Sequence, residues 1–173
     1  TTLFRSVSKL EHPSIYKIVD YLSSIGYKVS YVNNTEEGVI DFEDLKRKMN
    51  EDTILVSICA VNSETGVRQP LRTIKQVINK YNPEIILHSD ITQALGKIQI
   101  NFNDFDLASA SGHKIYAPKG IGLFYKKKGV KCEKLLHGGE TFHPGTPALP
   151  LIVSFSKALR ISLHEIEKKN EIV

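Results

Sequence analysis

The sequence predicts an open, mostly parallel α/β sheet with flanking helices. Short apolar runs of strand length alternate along the chain with segments whose apolar residues recur at helical spacing, which is typical of parallel sheets joined by crossover helices. Residues 53–60 form a dense apolar run of strand length, as expected for a strand that is buried on both faces. A chain of 173 residues is long enough for one domain with a substantial core.

The first half of the chain reads as strand, helix, strand, helix, strand. Pro13 suits the first turn of a helix, where its missing N–H costs no hydrogen bond, and Gly26 is expected to end that helix. Asp41 is the expected N-cap of the second helix, because its side chain can accept from the free N–H groups there. The predicted strands are residues 2–7, 27–32 and 53–60, and the predicted helices run from Pro13 to Gly26 and from Asp41 to Met49.

The second half continues the alternation and ends in a helix. Residues 71–81 are predicted to be helical, 85–88 to be a buried strand, 98–100 to be a short extended piece, and 107–110 and 121–125 to be strands on either side of a turn. The apolar face of the last helix is predicted to contain Leu151, Ile152, Phe155, Leu159 and Ile166.

Composition argues against several classes of protein. The net charge of +4 is small, and the dense basic run at residues 126–128 has no interleaved aromatic residues, so we interpret it as a solvated loop and expect no nucleic-acid partner. No apolar stretch approaches the ~20 residues of a membrane span, and no signal peptide is evident. The two cysteines, Cys59 and Cys132, argue against a disulfide framework and favour the reducing cytoplasm. We expect neither a membrane partner nor a metal ion.

The segment Ser111-Gly112-His113-Lys114 lies between two predicted strands and is the strongest candidate for a functional turn. Small residues let the backbone approach a ligand closely. Ser111 and His113 can donate to an anion, and Lys114 can hold a negative charge or, with its pKa lowered, act as an amine nucleophile. The alternative is a surface lysine in a loop rich in glycine and proline.

Other polar side chains follow the ends of other predicted strands. Asn62, Asp90 and His12 each come shortly after a predicted strand. Because ligands of open parallel sheets bind beyond the carboxyl ends of the strands, these residues and the turn at Lys114 are expected to form one shared site.

Four motifs occur along the chain in the order of a known family. They are Glu11-His12-Pro13, Val61-Asn62-Ser63-Glu64-Thr65-Gly66, His88-Ser89-Asp90-Ile91-Thr92-Gln93 and Ser111-Gly112-His113-Lys114-Ile115-Tyr116-Ala117-Pro118-Lys119-Gly120. Together they resemble the cysteine desulfurases, which belong to the class V aminotransferase group of fold-type I pyridoxal 5′-phosphate (PLP) enzymes. The family usually has glycine where this chain has Ala117. The resemblance covers nearly the whole chain and implies part of the large domain of that fold.

The resemblance implies roles for Lys114 and Asp90 in PLP chemistry. Lys114 would bind the cofactor covalently through its amine and would remove the proton from the substrate Cα. Asp90 would pair with the pyridine nitrogen and keep it protonated, which lets the ring accept electrons. From the residues alone, the alternatives are a lysine on the surface or against a phosphate, and a strand-end aspartate that caps the following turn.

The resemblance also implies cofactor contacts for five further residues. Gln93 and Asn62 would reach the phenolic oxygen of the ring, although amides in loops usually satisfy backbone groups. His12 would stack on the ring face and shuttle protons, or else only begin a helix. Ser111 and His113 would bind the cofactor phosphate.

Residues 137–147 resemble a glycine-rich loop of the family. Thr146 matches a threonine that reaches the PLP phosphate of the partner subunit, which implies a homodimer. The segment departs from the family pattern in being shorter and in having His143 where arginine is common.

Neither cysteine occupies the position of the family's nucleophile, which lies on a mobile loop. Cys59 falls inside a predicted buried strand, where a cysteine usually acts as a small hydrophobe. Cys132 lies in the basic connection after Tyr125.

We therefore expect residues 1–173 to be a single segment of a PLP-binding large domain, without the small C-terminal domain and the cysteine loop. The resemblance implies that the longer protein is a cytoplasmic cysteine desulfurase, which converts L-cysteine into L-alanine and passes the sulfur as an enzyme persulfide to an acceptor or scaffold protein, as in iron–sulfur cluster assembly. The isolated chain is expected to be inactive. Two alternatives stay open: another class V activity, such as a selenocysteine lyase or an aminotransferase, and a non-catalytic fragment of a PLP domain.

Overall fold

Six strands form a single sheet in a computed structural model that describes residues 4–134, 136–139 and 144–170. In chain order the strands are β1 (Phe4–Ser8), β2 (Lys28–Val32), β3 (Thr53–Ser57), β4 (Ile86–Asp90), β5 (Leu107–Ser111) and β6 (Gly122–Lys126). Their spatial order is β2-β1-β3-β4-β5-β6. The first five strands run parallel, and β6 pairs with β5 in the antiparallel sense. The predicted open, mostly parallel sheet is therefore confirmed.

The described residues also contain four α-helices and one 3₁₀ turn. They are α1 (Pro13–Ser24), α2 (Phe42–Lys48), α3 (Leu71–Tyr81), α4 (Leu149–Asn170) and the 3₁₀ turn Gly112–Ile115. Asp41 caps α2 as predicted, because its Oδ1 accepts from the N–H groups of Glu43 and Asp44 at 2.9 and 3.0 Å. Gly26 follows the end of α1 with φ +98°, a conformation that favours glycine. None of these helices has both the length and the apolar character that crossing a membrane requires.

Strand β3 ends at Ser57, three residues earlier than predicted. Beyond it, the N–H groups of Ile58 and Ala60 still donate to the carbonyls of His88 and Asp90, at 3.1 and 2.9 Å. The pairing with β1 stops at Ser57. The chain therefore leaves β1 while it stays hydrogen-bonded to β4, and a loop opens at this edge of the sheet.

Residues 98–100, predicted as a short extended piece, are not part of any strand in the described chain. The N–H group of Ile98 donates to the Ala94 carbonyl at 3.0 Å, which closes a turn. Ile98 and Ile100 pack against the core while only partly buried. Their apolar character therefore reflects packing from a loop, and the predicted extended piece does not join the sheet.

The core is one apolar cluster shared by the sheet and three of the helices. Among its members are Val56, Leu87 and Ala108 from the strands and Leu45, Ile74 and Phe155 from α2, α3 and α4. The predicted apolar face of α4 is correct for Phe155, which is buried, and for Leu159, which packs against the core, whereas Ile152 is 44% exposed. The difference arises because α4 meets the core through Phe155, Ala158 and Leu159.

A buried ion pair joins α3 to the sheet. Lys75 Nζ pairs with Asp106 Oδ2, and the two side chains are only 11% and 10% exposed. The same Asp106 oxygen accepts from the N–H group of Leu87 at 2.9 Å. One carboxylate thus links α3, β4 and the residue just before β5, and the loss of Asp106 would leave the Lys75 ammonium buried without a counter-charge.

We expect Asp106→Asn to lower the free energy of unfolding by about 3–5 kcal/mol, because it leaves the Lys75 ammonium buried without a counter-charge. Asp104→Asn is the matched control. Its ion pair with Arg72 is long, at 3.5 Å, and the Arg72 side chain is 68% exposed, so this change should cost about 1 kcal/mol at most. Urea unfolding at pH 7 measures both. Equal losses in the two variants would contradict the role assigned to Asp106.

Candidate functional site

A cavity of about 260 Å³ lies where four parallel strands end. Its walls come from the segments that follow β1, β3, β4 and β5. Seven of the predicted site residues line it: His12, Asn62, Asp90, Gln93, Ser111, His113 and Lys114. Thr146 is exposed and is not among the lining residues, and His143 lies outside the described residues. The structure therefore brings together all the predicted residues except Thr146.

A larger cavity, of about 810 Å³, lies beside the start of α3 and residues 98–101. Arg68 and Arg72 line it, and Arg72 is already paired with Asp104. None of the candidate site residues predicted from the sequence lines this larger cavity. We place the functional site in the smaller cavity, because that is where acidic, basic and amide side chains from four strand ends converge.

His12 begins α1 and also lines the cavity. Its backbone has the extended conformation of an N-cap, and its Nδ1 accepts from the N–H group of Ser14 at 3.2 Å. With Nδ1 as the acceptor, a neutral ring carries its proton on Nε2. His12 therefore caps the start of α1, which is one of the two roles considered for it. Its exposed ring nevertheless lies beside the cavity.

Asn62 organises the loop after β3. Its Oδ1 accepts from the N–H groups of Glu64 and Thr65 at 2.9 and 2.8 Å, and its Nδ2 donates to the Leu10 carbonyl at 2.9 Å. An amide nitrogen carries two donor hydrogens, so one of them is left for a ligand. Asn62 can therefore hydrogen-bond to the backbone of its loop and still contact a ligand.

Asp90 caps the turn that follows β4. Its Oδ1 accepts from the N–H group of Thr92 at 2.9 Å, which leaves Oδ2 available to a ligand. The hydroxyl oxygen of Thr92 in turn accepts from the N–H group of Ser111 at 3.2 Å. Thr92 therefore connects the Asp90 turn to the segment that carries Lys114.

Gln93 shares the edge of the cavity with two lysines. Its Oε1 accepts from Lys97 Nζ, so its amide N–H groups remain as donors. Burial, followed by the nearby charge of Lys114, lowers the pKa of Lys97. Two cationic side chains thus lie close together on this side of the site.

Lys114 lies in the 3₁₀ turn directly after β5. A Cβ atom at Gly112 would lie 2.8 Å from the Phe155 ring of α4 and 3.0 Å from the Ile121 carbonyl oxygen. These distances are shorter than side chains tolerate, so the turn needs glycine at this position. The close approach fixes the start of the lysine turn against α4 and the neighbouring strand.

The turn leaves its basic side chains open to solvent. His113 and Lys114 are exposed, so residues in the described ranges do not enclose Lys114 in a dry pocket. Ala117, which stands where the family usually has glycine, is buried, and its φ is not positive. Alanine therefore fits this position without backbone strain.

A half-buried histidine, His88, lies on β4 two residues before Asp90. His88 Nδ1 is hydrogen-bonded to the Ser57 hydroxyl at 2.9 Å, and its Nε2 to the Ser109 hydroxyl at 3.1 Å. Burial lowers the pKa of His88, against the opposing charge of Asp90. The neutral ring therefore spans β3, β4 and β5 just before these strands enter the site.

Glu11 and Cys59 form the buried wall behind His12. Glu11 Oε1 accepts from the N–H group of Cys59 at 2.6 Å. Burial raises the pKa of Glu11 to about 8. Burial and the nearby carboxyls of Glu11 and Asp90 raise the pKa of the Cys59 thiol. Cys59 therefore lines the cavity as a thiol, which is a poor nucleophile at neutral pH.

The polar groups of the site are suited to an organic ligand. Within the ranges that the structure describes, no three or more His, Cys, Asp and Glu side chains are grouped so as to hold a metal ion. The predicted residues around the cavity offer two imidazoles, two amides, a carboxylate, a hydroxyl and a lysine amine. They are His12, His113, Asn62, Gln93, Asp90, Ser111 and Lys114.

Three polar residues of the site region were not predicted from the sequence: Glu11, His88 and Thr92. Each lies in a sequence motif that was singled out because of a neighbouring residue. Each is also at or near the end of a strand, where a buried polar group needs a hydrogen-bond partner. This position is the feature of the sequence that could have identified them. Their partners lie on other strands, so spacing along the chain does not identify them.

Comparisons of this sequence with protein families and with curated proteins agree with each other. A sequence model of the family described as aminotransferase class-V matches residues 6–172. The cysteine desulfurase IscS of Rickettsia typhi is 45% identical over 165 residues, which are 91% of this chain and 40% of the relative. IscS of Dictyoglomus turgidum is 34% identical over 169 residues, 95% of this chain and 42% of the relative. The chain thus spans about 40% of the length of these curated relatives.

Solved structures share the architecture. A NifS-like protein superposes with a TM-score of 0.92 at 36% identity and covers 96% of this chain and 47% of its own. DndA from Streptomyces lividans superposes with a TM-score of 0.84 at 31% identity, over 95% of this chain and 49% of its own. These likenesses confirm the predicted fold, that of the fold-type I PLP-dependent transferases, over part of that fold.

We expect Thr92→Val to speed hydrogen exchange of the Ser111 amide by about 5- to 10-fold, because one hydrogen bond worth about 1 kcal/mol is lost. Valine matches threonine in shape but has no acceptor. Thr92→Ser keeps the hydroxyl and serves as the control, with exchange close to that of the parent. Amide exchange followed by NMR gives the rates. If the valine and serine variants exchanged alike, Thr92 would not hold the start of the lysine turn.

Proposed function

The chain belongs to the aminotransferase class-V family, and on that premise we propose that it is the PLP-binding part of a cysteine desulfurase. Such an enzyme transfers the sulfur atom of L-cysteine to an enzyme thiol, which gives L-alanine and an enzyme persulfide. The observation that carries the proposal is the single cavity in which Lys114, Asp90 and His12 meet. The identity of 45% to a cysteine desulfurase supports the choice of reaction within the family.

The cavity fits PLP by its donor set. Enzymes of this family depend on PLP, whose ring nitrogen takes a carboxylate and whose phosphate takes hydrogen-bond donors. Asp90 offers one free carboxylate oxygen, because Thr92 occupies the other. Ser111 and His113 line the same cavity and supply hydroxyl and imidazole groups for the phosphate. When bound, PLP supplies an electron sink for the substrate carbanion.

Lys114 is the residue that we assign to covalent attachment of PLP and to the movement of the Cα proton. It is the lysine among the residues that line the cavity in the described chain. Its position directly after β5, fixed by Gly112, supports this role. Lys97 lies close by and hydrogen-bonds to Gln93, so it is the neighbouring lysine against which this assignment is tested.

Asp90 is assigned to the ring nitrogen, and His12 to the ring face. The hydrogen bond from Thr92 fixes the Asp90 carboxylate in orientation, and a carboxylate at this point keeps the nitrogen protonated. The N-cap geometry of His12 holds its ring beside the cavity. With the proton on Nε2, the neutral ring presents an N–H donor to the cavity.

The remaining contacts complete the cofactor assignment. Gln93 and Asn62 keep amide donors for the phenolic oxygen after their own hydrogen bonds are counted. Ser111 and His113 bind the phosphate. We propose that Thr146 reaches the phosphate of a partner subunit, so that the protein is a homodimer. Its exposure in this chain leaves it accessible to a partner.

We assign the sulfur-accepting thiolate to a cysteine other than Cys59 and Cys132. Burial and nearby carboxyls keep Cys59 protonated. Cys132 is not among the residues that line the cavity. Residues 1–173 are, in this proposal, a single segment of the large PLP-binding domain, and by themselves they form no persulfide. The whole protein would pass sulfur to an acceptor or scaffold protein in the cytoplasm, as in iron–sulfur cluster assembly.

We expect borohydride reduction in the presence of PLP to fix the cofactor on Lys114, because this amine lines the cavity. Lys97 is the internal control, because it is a nearby lysine whose Nζ donates a hydrogen bond to Gln93 Oε1. Peptide mapping by mass spectrometry locates the label, and Lys97→Arg should leave it in place whereas Lys114→Arg should remove it. A label on Lys97, with Lys114 unmodified, would overturn the assignment.

We expect Asp90→Asn in the intact enzyme to retain PLP but to lower turnover by about 10- to 150-fold or more, since a charge-assisted hydrogen bond is worth roughly 1.5–3 kcal/mol. Asparagine occupies the same space but cannot stabilise a protonated ring nitrogen. Alanine formation from L-cysteine measures turnover, and the absorbance of bound PLP measures retention. Turnover at the parental rate with PLP bound would show that Asp90 is not the partner of the ring nitrogen.

A further inference from the structure

Glu11 is a buried carboxyl that the proposed chemistry does not use. It lies in the turn between β1 and α1 and is 7% exposed. Its Oε1 accepts from the N–H group of Cys59 at 2.6 Å. Its Oε2 is also buried and has no hydrogen-bond partner within the described part of the chain. A buried carboxylate with one oxygen unsatisfied is costly, whereas the neutral acid is much less so.

The hydrogen bonds around Glu11 join two walls of the cavity. Besides the bond from Glu11 to Cys59, the Asn62 side chain donates to the Leu10 carbonyl at 2.9 Å. The Cys59 thiol lies 3.6 Å from the same carbonyl oxygen. The residue after Glu11 is His12. The turn that carries His12 is therefore tied to the segment that carries Asn62.

Among the described residues, no cation faces Glu11 to stabilise a negative charge on it. The N–H group and thiol of Cys59, from the segment after β3, favour the ionised form, whereas the Asp90 carboxylate, from the end of β4, opposes it. Burial outweighs the hydrogen bonds from Cys59. Burial, with a smaller contribution from Asp90, raises the pKa of Glu11 to about 8, which agrees with the geometric argument.

We propose that Glu11 is a positioning residue that holds the His12 turn against the segment after β3 as a neutral acid, so that Asp90 has no second carboxylate charge beside it. The inference deepens the proposed function and rests on it for the identity of the ligand. The neutral form keeps the Oε1 acceptor for Cys59. Ionisation of Glu11 at higher pH adds a buried negative charge next to a cavity that takes an anionic cofactor.

The proposal fixes the sign of a pH effect on stability. The folded chain holds the Glu11 proton up to about pH 8, whereas an unfolded chain releases it near pH 4.3. The stabilisation that comes from the neutral acid is therefore complete below about pH 4.3 and is lost progressively as the pH rises to about 8. Above that pH, no further loss arises from this group.

Glu11→Gln is the variant that tests this. Glutamine keeps a carbonyl oxygen for the Cys59 N–H group and does not titrate. We expect the ratio of unfolding constants, parent over variant, to rise by up to about tenfold per pH unit between about pH 5 and 8 and to level off above. Urea unfolding of the intact protein across this range gives the ratio. A ratio that is constant from pH 5 to 9 would overturn the proposal.

A direct titration keeps the proposal testable if the variant folds poorly. The side-chain carboxyl of Glu11, assigned through its backbone connectivity, is followed by carbon-13 NMR in the parent protein. We expect a midpoint near pH 8. A midpoint below about pH 6, within the ordinary range of glutamate, would show that Glu11 is ionised at neutral pH and would overturn the proposal.

The positioning role has its own readout in PLP affinity. We expect the ratio of PLP dissociation constants, parent over Glu11→Gln, to be constant below pH 7 and to rise above pH 8, where only the parent gains a negative charge. A ratio that is independent of pH from 6 to 9 would overturn the positioning role. Absence of PLP binding to either protein at every pH would count against the proposed function, while the titration and the unfolding ratio still decide the state of Glu11.

Discussion

The imidazole of His88 spans three strands from a position two residues before Asp90 on β4. Its two nitrogens are hydrogen-bonded to the hydroxyls of Ser57 on β3 and Ser109 on β5. A neutral imidazole has one donor and one acceptor, and a serine hydroxyl complements either. Because the burial of His88 lowers its pKa, the ring remains in the form that fits this arrangement. The three strand ends that lead to Asn62, Asp90 and the lysine turn are thereby held in one register.

Charge is distributed unevenly around the cavity that these strand ends create. The carboxyl groups of Glu11 and Asp90 lie on the buried side, and Glu11 is the more deeply buried of the two. His113 and Lys114 are exposed on the open side. A ligand with a basic ring nitrogen at one end and a phosphate at the other matches this polarity. In the proposed function, Asp90 would hold the ring nitrogen of PLP on the buried side, and Ser111 and His113 would hold its phosphate near the turn.

The sequence predicts the site better than it predicts the interactions that hold the site. Asp90 and Lys114 could be identified because each follows an apolar run at the carboxyl end of a predicted strand, and parallel strands end at one edge. The partners of His88 and Thr92 depend on which strands are neighbours and in what register, and spacing does not contain that information. The same reason explains residues 98–100, whose isoleucines pack on the core from a turn.

The position of Lys114 depends on residues far from its own turn. Tyr116 ends that turn at φ 65°, in the left-handed region, while its side chain is 97% exposed. Such a conformation costs a non-glycine residue roughly 1–2 kcal/mol, and an exposed side chain provides no packing to offset it. At the other end of the turn, Gly112 packs closely against Phe155 of α4. The lysine is therefore held in place by a helix that begins at Leu149, 35 residues further along the chain, so the geometry of the site is a property of tertiary packing and not of the local motif.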